Sequence, residues 1–279
     1  MRTLTTLFMT FLTFFGLHAN NQDYTLVLGS GGTKGLAHVG ILSELEQLDA
    51  RPAYIVGSSA GAIVGALYAK YQSAFEVYKI LIDLKQDDLI EWRFTINGSF
   101  SHNTKLYNLL KEHLGDMTFE ELEDIKFVAV ATEIETGTAT YLNSGCIVDA
   151  VMASAALPGI YEPYTIGDKS YIDGGCADPL PINYAFNQGI HPIFVSNICS
   201  SLPEKSDSIT NHIHRALEII HQNLALSQIE NADVVLKPEL DFITSPIDDS
   251  QNDQIFAAGK KAAHEKLEEL QKTFQDEED

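Results

Sequence analysis

Basic residues, cysteine and proline are all scarce in this chain of 279 residues. Lys and Arg number 18 against 39 Asp and Glu, which gives a formal net charge of −21. Because nucleic-acid binding depends on neutralising phosphates, we expect no nucleic-acid partner, and the same charge argues against docking to anionic lipid through a broad basic patch. Three scattered cysteines are too few for a disulfide framework or a zinc site. With only 9 Pro and 45% hydrophobic residues, the composition is that of a globular protein and excludes a disordered or collagen-like one.

The first nineteen residues carry a single charged side chain, Arg2, followed by an apolar run at 4–17. This run is too short to span a bilayer comfortably, and the segment ends in the small residue Ala19. These features are typical of a secretory signal peptide, which we predict at 1–19. A helix within the fold or a retained membrane anchor is the alternative. Cleavage predicts an exported protein, periplasmic or secreted, and retention predicts a membrane-associated one.

The rest of the chain has no internal repeat, linker or break in composition. We therefore predict a single domain over 24–275, with its motifs at about 26–186 and a strand and helices at 190–275. An acidic tail follows at 276–279. Apolar runs of strand type alternate with segments of helical periodicity. This alternation predicts an α/β sandwich with a mostly parallel sheet.

Periodicity and turn residues locate the individual elements. Strands are predicted at 24–28, 54–56, 127–132, 139–142, 193–198 and 234–236, with a hairpin turn at 135–137. Helices are predicted at 36–48, 62–70, 73–92, 105–114, 212–229 and 254–274.

The second predicted strand ends in the motif G-x-S-x-G, with Ser59 as the central serine between Gly57 and Gly61. A nucleophile on a tight strand-to-helix turn needs small neighbours, because larger side chains would clash there. An apolar strand before the motif and an apolar helix after it are the setting that this chemistry requires. The alternative is a serine that only caps the helix.

The first glycine turn, at 29–35, has three possible functions. A Walker phosphate loop needs a Lys-Ser or Lys-Thr pair that is missing at the required spacing. A dinucleotide site needs a first glycine in register and an acid after the second strand, but Asp49 precedes that strand. An oxyanion hole needs only free N–H groups at the start of a helix, which consecutive small residues provide. The oxyanion hole fits best beside a serine nucleophile.

A serine nucleophile also needs a base, and none of the nine histidines lies in a late strand-end loop. His38, on the first helix, is expected to be packed. His191 precedes its strand and is followed by Pro192, so it lies at the wrong end. The better candidate is Asp173, which closes a short strand before Gly174.

Several stretches of the chain together resemble one family. They are LGSGGTKGLAHVGIL from residue 28, IVGSSAGAIVGA from 55, VAVATEIETG from 128, ASAALPGIYEP from 153, DGGCADPLPI from 173 and ADVVLKPEL from 232. In order and spacing they resemble the short bacterial members of the patatin-like phospholipase family, over roughly 24–270. The resemblance implies a three-layer α/β sandwich and hydrolysis of lipid acyl esters, of the phospholipase A or lysophospholipase type. The apolar helices predicted at 73–92 and 212–229 are where we expect the acyl chain to bind.

The resemblance also implies the site residues. Ser59 would be the nucleophile and Asp173 the proton acceptor of a Ser–Asp dyad that uses no histidine. The backbone N–H groups of Gly31, Gly32 and Lys34 would form the oxyanion hole. No metal or organic cofactor is implied, and the partners are a phospholipid or other acyl-ester lipid and, transiently, a membrane or micelle surface. The remaining motif glycines are Gly35, Gly57, Gly61, Gly174 and Gly175.

Two positions of the first glycine turn depart from the family's usual pattern. Ser30 stands where glycine is usual, and Lys34 stands where arginine is usual. A serine is strained if its φ must be positive, and lysine lacks the fixed fork of a guanidinium. One alternative is therefore a catalytically weak or silent lipid-binding protein, and another is a conventional Ser-His-Asp esterase. Cys176, three residues past Asp173, is expected to serve packing.

Overall fold

One mixed sheet organises the computed structural model of the chain, which describes residues 24–48, 50–90, 103–199, 209–243 and 250–276. The strands described are β1 (Tyr24–Leu28), β2 (Pro52–Ser58), β3 (Lys126–Glu133), β4 (Ala139–Leu142), β5 (Tyr164–Ile166), β6 (Lys169–Asp173), β7 (Ile193–Ser196) and β8 (Val234–Leu236). Their order is β5-β6-β3-β2-β1-β7-β8, and β4 pairs with β3 outside this path. The neighbouring strands β3, β2, β1, β7 and β8 are all parallel to one another. By contrast, β4 and β6 are antiparallel to β3, and β5 is antiparallel to β6. The predicted mostly parallel central sheet is confirmed.

Both faces of this sheet are covered. In β1, Leu26 and Leu28 pack into the core on one face, whereas Val27 between them packs into the core on the other. Strand β7 repeats the pattern with Phe194 and Val195. Strands that are buried on both faces form continuous apolar runs, which is why the central strands were recognisable in the sequence. The three-layer sandwich is confirmed.

Helices form the two outer layers. Within the described ranges they are α1 (Leu36–Leu45), α2 (Ala60–Tyr71), α3 (Ala74–Leu81), α4 (Gln86–Leu89), α5 (Thr104–Leu114), α6 (Ile147–Ser154), α7 (Ile182–Gln188), α8 (Ile209–Leu226), α9 (Asn252–His264) and α10 (Leu267–Asp276). None of these described helices combines the length and the apolar character that crossing a membrane would require. The helices α6 and α7 and the strand β5 were not predicted, since each is short and its period is ambiguous.

Two of the predicted helices were wrong in extent, because each is divided in the structure. The segment predicted at 73–92 forms α3 and α4, and the Asp88 carboxylate accepts a hydrogen bond from the Lys85 N–H at 2.9 Å where the second helix starts. The segment predicted at 254–274 forms α9 and α10. The turn between them is tightened by a hydrogen bond from the Lys266 N–H to the Ala263 carbonyl at 3.0 Å.

Smaller differences concern the ends of elements. The helix predicted at 212–229 begins earlier, as α8, and is followed by a separate 3₁₀ turn, Ile229–Asn231. The helix predicted at 36–48 ends as α1 and continues as the 3₁₀ turn Glu46–Leu48. The predicted signal peptide at 1–19, positions 91 and 92 of a predicted helix, and the tail after residue 276 lie outside the described residues.

Helices α1 and α9 cross at two glycines. A Cβ at Gly40 would collide with the Phe256 carbonyl, and a Cβ at Gly259 would collide with the Ala37 carbonyl. Only glycine lets the two backbones approach this closely. Because α1 follows the first glycine turn directly, this crossing fixes the helix that supports that turn.

Phe194 gives a test of the core. Its buried ring contacts Tyr24 and Phe274, with ring centroids 4.9 Å and 5.3 Å away. We expect Phe194→Ala to lower the free energy of unfolding by about 3–5 kcal/mol, because the transfer and cavity terms add. The matched control is Phe75→Ala, whose side chain is 65% exposed and which should change stability by no more than about 0.5 kcal/mol. Urea unfolding measures both, and equal losses would contradict the place of Phe194 in the core.

Candidate active site

Ser59 lies in a strained turn between β2 and α2. Its backbone has φ 56° and ψ −117°, and among the described residues only one other non-glycine, Gln72, has a positive φ. A side chain is unfavourable in this region, and such strain persists where the surrounding structure imposes it. The Ser59 side chain makes no capping hydrogen bond to α2, so the alternative of a helix-capping serine is wrong. A serine on a tight strand-to-helix turn of this kind is the setting that the sequence analysis predicted for a nucleophile.

Close backbone contacts explain the glycines around this serine. A Cβ at Gly57 would collide with the Gly61 carbonyl, and a Cβ at Gly61 would collide with the Leu28 carbonyl at the end of β1. The turn is therefore pressed against the neighbouring strand and has room only for glycine at these two positions.

Ser154, the last residue of α6, is hydrogen-bonded to the backbone of the Ser59 turn. The Ser59 N–H donates to Ser154 Oγ at 2.9 Å, and the Ser154 hydroxyl donates to the Val130 carbonyl at 2.5 Å. All three residues are fully or nearly fully buried. The sequence analysis missed this residue, although a lone serine in an otherwise apolar helical stretch is a signal that a buried hydrogen bond is needed.

The hydroxyl of Ser59 donates a hydrogen bond to Asp173. Ser59 Oγ lies 2.5 Å from Asp173 Oδ2, and the other carboxylate oxygen, Oδ1, accepts the Gly175 N–H at 2.8 Å. Asp173 ends β6, which lies antiparallel to β3, so the carboxylate is brought back to the end of β2 across one intervening strand. The structure therefore brings together the two side chains that the sequence analysis singled out.

Burial makes Asp173 a stronger base than an ordinary carboxylate. The residue is 1% exposed, and this desolvation raises its pKa to about 6. The hydrogen bonds from the Ser59 hydroxyl and the Gly175 N–H act in the opposite direction and lower the pKa, but their effect is smaller. Desolvation disfavours the charged form of a carboxylate, which accounts for the direction. At pH 7 the group is still mostly ionised and is able to accept a proton.

The first glycine turn forms a 3₁₀ turn, Gly32–Gly35, beside Ser59. The Lys34 N–H donates to the Gly31 carbonyl at 3.3 Å and is therefore engaged within the turn. Within the described part of the chain, the N–H groups of Gly31 and Gly32 donate to no backbone carbonyl. Ser30 has no positive φ, so the strain considered for a serine at this position does not arise.

The two unusual residues of this turn contact α8. Lys34 Nζ lies 2.9 Å from Glu218 Oε1, and both side chains are almost fully buried. Ser30 Oγ lies 3.3 Å from Nδ1 of His221, one helical turn further along α8. Two side chains thus anchor the glycine turn to α8, a helix that the sequence analysis associated with the acyl chain and not with this turn.

Two clefts meet at Ser59. The apolar cavity encloses about 980 Å³ of space, part of it open to solvent, and the leucines of α3 and α5 and of the segment around α4 line it. The second cleft encloses about 490 Å³, part of it also open to solvent, and lies between the glycine turn and α8. It is called the polar pocket here because Lys34, Asp173 and Glu218 line it, although Leu157 and Leu217 line it as well. Of the two helical segments expected to bind an acyl chain, the one at 73–92 lines the apolar cavity, whereas α8 lines the polar pocket.

The remaining candidate residues have other partners. His38 Nε2 donates to the Gly29 carbonyl at 2.8 Å, so its Nδ1 accepts from the Ser196 hydroxyl at 2.6 Å. Burial lowers the pKa of His38 to about 4, so the packed imidazole is neutral. Burial is the main cause, and the nearby Asp173 charge the smaller one, that raises the pKa of Cys176 to about 12. Its thiol is therefore not ionised at neutral pH and is not a nucleophile there. No cluster of His, Cys, Asp or Glu suited to a metal ion occurs within the described ranges.

The other motif glycines lie around Ser59 and Asp173. Gly35 lines the apolar cavity beside Ala60, and a Cβ at Gly174 would collide with the Val130 carbonyl. Gly175 donates its N–H to Asp173 and lies against the His221 ring.

The family model for patatin-like phospholipases matches residues 26–186, which is more than half of the chain. The chain therefore belongs to the patatin-like phospholipase family, as the sequence motifs predicted.

Similar proteins share this part of the chain. An uncharacterized NTE family protein of Mycobacterium tuberculosis is 31% identical over 166 residues, which make up 59% of this chain and 46% of that protein. A lysophospholipase NTE1 of Candida albicans is 28% identical over 185 residues, 65% of this chain and 13% of that protein. The matches thus span less than half the length of these relatives. The solved structure of VipD from Legionella pneumophila has the same fold, with a TM-score of 0.54, 12% identity, and coverage of 88% of this chain and 67% of VipD.

Neutralising the buried carboxylate should stabilise the protein at high pH. The pKa of Asp173 is about 6 when folded and ordinarily 3.8, so the folded state binds the proton more tightly and loses stability as the pH rises through about 6. We expect Asp173→Asn to be more stable than the wild type at pH 8 by about 3 kcal/mol, and this gain to vanish near pH 4. Thermal unfolding at several pH values measures the difference. The control is Asp168→Asn in the exposed turn before β6, and a gain of equal size at all pH values would contradict the raised pKa.

Proposed function

We propose that the protein is a serine hydrolase of lipid acyl esters, of the phospholipase A or lysophospholipase type, with Ser59 as nucleophile and Asp173 as base. The observation that carries this proposal is the 2.5 Å hydrogen bond from Ser59 Oγ to Asp173 Oδ2, at the junction of an apolar cavity and a polar pocket. Membership of the patatin-like phospholipase family and the name of the Candida albicans relative support the substrate class.

Acylation begins when Asp173 accepts the proton of the Ser59 hydroxyl as Oγ attacks the acyl carbon. A carboxylate of ordinary pKa is a weak base for this proton, but burial raises the pKa of Asp173 to about 6. Asp173 then delivers the proton to the oxygen of the leaving alcohol while the carbon–oxygen bond breaks. The acyl group remains on Ser59 as an ester.

The negative oxygen of the tetrahedral intermediate needs donors that are already in place. The N–H groups of Gly31 and Gly32 supply them in this proposal, because both residues line the polar pocket together with Ser59. The Lys34 N–H, expected as a third donor, is directed to the Gly31 carbonyl instead. The N-terminus of α2 adds a favourable dipole at the same place.

Deacylation repeats these steps with water. Asp173 accepts a proton from a water molecule as its oxygen attacks the acyl carbon, and the proton returns to Ser59 Oγ as the carboxylic acid leaves. The net reaction consumes one ester and one water and yields one acid and one alcohol. The apolar cavity holds the acyl chain, and a membrane or micelle surface supplies the substrate.

A conventional Ser-His-Asp esterase has less support. The Ser59 hydroxyl is bonded directly to a carboxylate, and the buried His38 is bonded to Gly29 and Ser196. A silent lipid-binding protein with a distorted glycine turn also has less support, because Ser30 and Lys34 are accommodated by contacts to α8.

Removing the Ser59 hydroxyl tests the nucleophile. We expect Ser59→Ala to lower kcat on p-nitrophenyl dodecanoate by at least about 10³-fold, since the covalent route is lost. The matched control is Ser58→Ala, whose buried hydroxyl has no hydrogen-bond partner among the described groups and which should keep most of the activity. Activity retained in a folded Ser59→Ala protein would refute the proposal, and inactivity of the wild type on this ester and on lysophosphatidylcholine would favour the lipid-binding alternative.

The pH dependence of the reaction tests the base. Since Asp173 must be ionised to accept a proton and its pKa is about 6, kcat/KM should rise about tenfold per pH unit below 6 and level off above it. Steady-state rates between pH 4 and 9 measure this profile, with Asp168→Asn as a control that leaves it unchanged. A midpoint near 4, or full activity in Asp173→Asn, would exclude Asp173 as the base.

A further inference from the structure

After Asp173 the chain forms the linking segment, 174–181, which leads from β6 to α7. We infer that Asp178 is a positioning residue, whose buried carboxylate holds the linking segment in place and so aligns Asp173 with the glycine turn. The inference rests on the proposed function. It adds a side chain that lines neither of the two clefts at Ser59.

The linking segment contacts both halves of the proposed catalytic site. At its start, the Gly175 N–H donates to Asp173 Oδ1 at 2.8 Å. Near its end, the Pro179 carbonyl accepts the Ser30 N–H at 2.9 Å, at the beginning of the glycine turn. Because Ser30 directly precedes Gly31, a shift of the linking segment would move the base and the oxyanion donors relative to one another.

Asp178 lies between these two contacts and is 5% exposed. Its N–H donates to the Gly174 carbonyl at 2.9 Å, which closes the turn at the start of the segment. Its Oδ2 accepts the Tyr141 hydroxyl of β4, and its Oδ1 accepts Gln228 Nε2 just beyond the end of α8, both at 2.8 Å. The Leu180 N–H adds a third hydrogen bond. Since a buried carboxylate without donors is costly, the segment is confined to the place where these donors meet.

The two side chains that donate to Asp178 are themselves held by α7. The Gln228 Oε1 accepts the Asn183 N–H at 2.9 Å, so its Nε2 is the end that faces Asp178. The Tyr141 ring stacks on the Tyr184 ring, with centroids 3.9 Å apart and planes at 11°. Because neither donor is free to follow, a displacement of Asp178 would cost it hydrogen bonds.

Three possible roles of Asp178 predict different effects on the pKa of Asp173. The hydrogen bond from the Gly175 N–H lowers this pKa, so a displaced linking segment that weakens the bond would raise it. If Asp178 acted only through its negative charge, its removal would lower the pKa of Asp173. If it only stabilised the fold, the pKa would not change.

The other titratable groups near Asp173 do not obscure this comparison. The pKa of Cys176 is about 12, so its thiol carries no charge at the pH values of the assay. Lys34, Glu218 and His221 line the polar pocket with Asp173. All variants keep these side chains, so their contribution is common to the wild type and the variants.

Asp178→Ala tests the inference directly. We expect kcat/KM on p-nitrophenyl dodecanoate at pH 7 to fall about tenfold or more, because the base and the oxyanion donors lose their alignment. We expect the midpoint of its pH profile to rise from about 6 by about one pH unit, as the Gly175 hydrogen bond weakens. The control for lost stability is Phe194→Ala, which should keep the midpoint near 6. A midpoint of Asp178→Ala that stays near 6 or falls would overturn the inference.

Asp178→Asn removes the charge but keeps the shape of the side chain. Its amide can accept from Gln228 Nε2 and donate to the Tyr141 oxygen, since a hydroxyl both donates and accepts. We expect the midpoint to stay near 6 and kcat/KM to exceed that of Asp178→Ala by about threefold or more. A midpoint as high as that of Asp178→Ala would contradict a role through these hydrogen bonds.

Tyr141→Phe tests the same contact from the other side and keeps the ring stacked on Tyr184. We expect kcat/KM to fall about threefold, and the midpoint to rise by less than in Asp178→Ala. Tyr164→Phe is the matched control, because its hydroxyl donates to Asp149 at 2.7 Å between β5 and α6, and it should change neither quantity. If Asp178→Ala does not fold, this pair decides, and identical pH profiles would overturn the inference.

Ser59→Ala separates this inference from the proposed function. If folded Ser59→Ala hydrolyses the ester like the wild type, the proposed function fails. If Ser59→Ala is inactive while Asp178→Ala keeps the kcat/KM and the midpoint of the wild type, only the role of Asp178 fails.

Discussion

The hydrogen bond between Ser59 and Asp173 joins residues that are 114 positions apart in the chain. Its formation requires β6 to run antiparallel to β3, so that a strand end from the antiparallel part of the sheet meets the carboxyl end of β2. It also requires a strained serine backbone, which is maintained by close packing against β1 and by the hydrogen bond that the Ser59 N–H donates to Ser154 Oγ. The sheet topology, the glycines and the buried serine of α6 are thus the conditions on which one short contact between two side chains depends.

The glycine turn depends on a different contact. Lys34 and Glu218 form a buried ion pair, and buried pairs contribute little net stability because desolvation offsets their attraction. Such a pair does fix the relative position of the two elements, because separating the charges would leave each of them buried without its partner, at a high cost in free energy. Together with the contact between Ser30 and His221, it ties the glycine turn to α8.

The sequence predicted the local features of this fold well. The bounds of β1 and β8 agree with the predicted strands at 24–28 and 234–236, and Ser59 and Asp173 could be singled out because each stands at a strand end beside glycines. His221 could not be found in this way, because its place depends on how α8 packs across the sheet and no spacing encodes that. The division of the helix predicted at 73–92 was missed for a local reason, since apolar periodicity does not register a side-chain cap.

Burial of Asp173 couples the stability of the fold to the chemistry of the site. The same desolvation that raises its pKa to about 6 also destabilises the folded protein when the group is ionised. The fold tolerates this because Ser59 and Gly175 each donate a hydrogen bond to the carboxylate, which offsets part of the penalty. A solvated aspartate at this position would give a more stable protein with a weaker base. Asp173 lines the polar pocket while its side chain stays almost fully buried, so the carboxylate borders a cleft and still keeps the desolvation that raises its pKa.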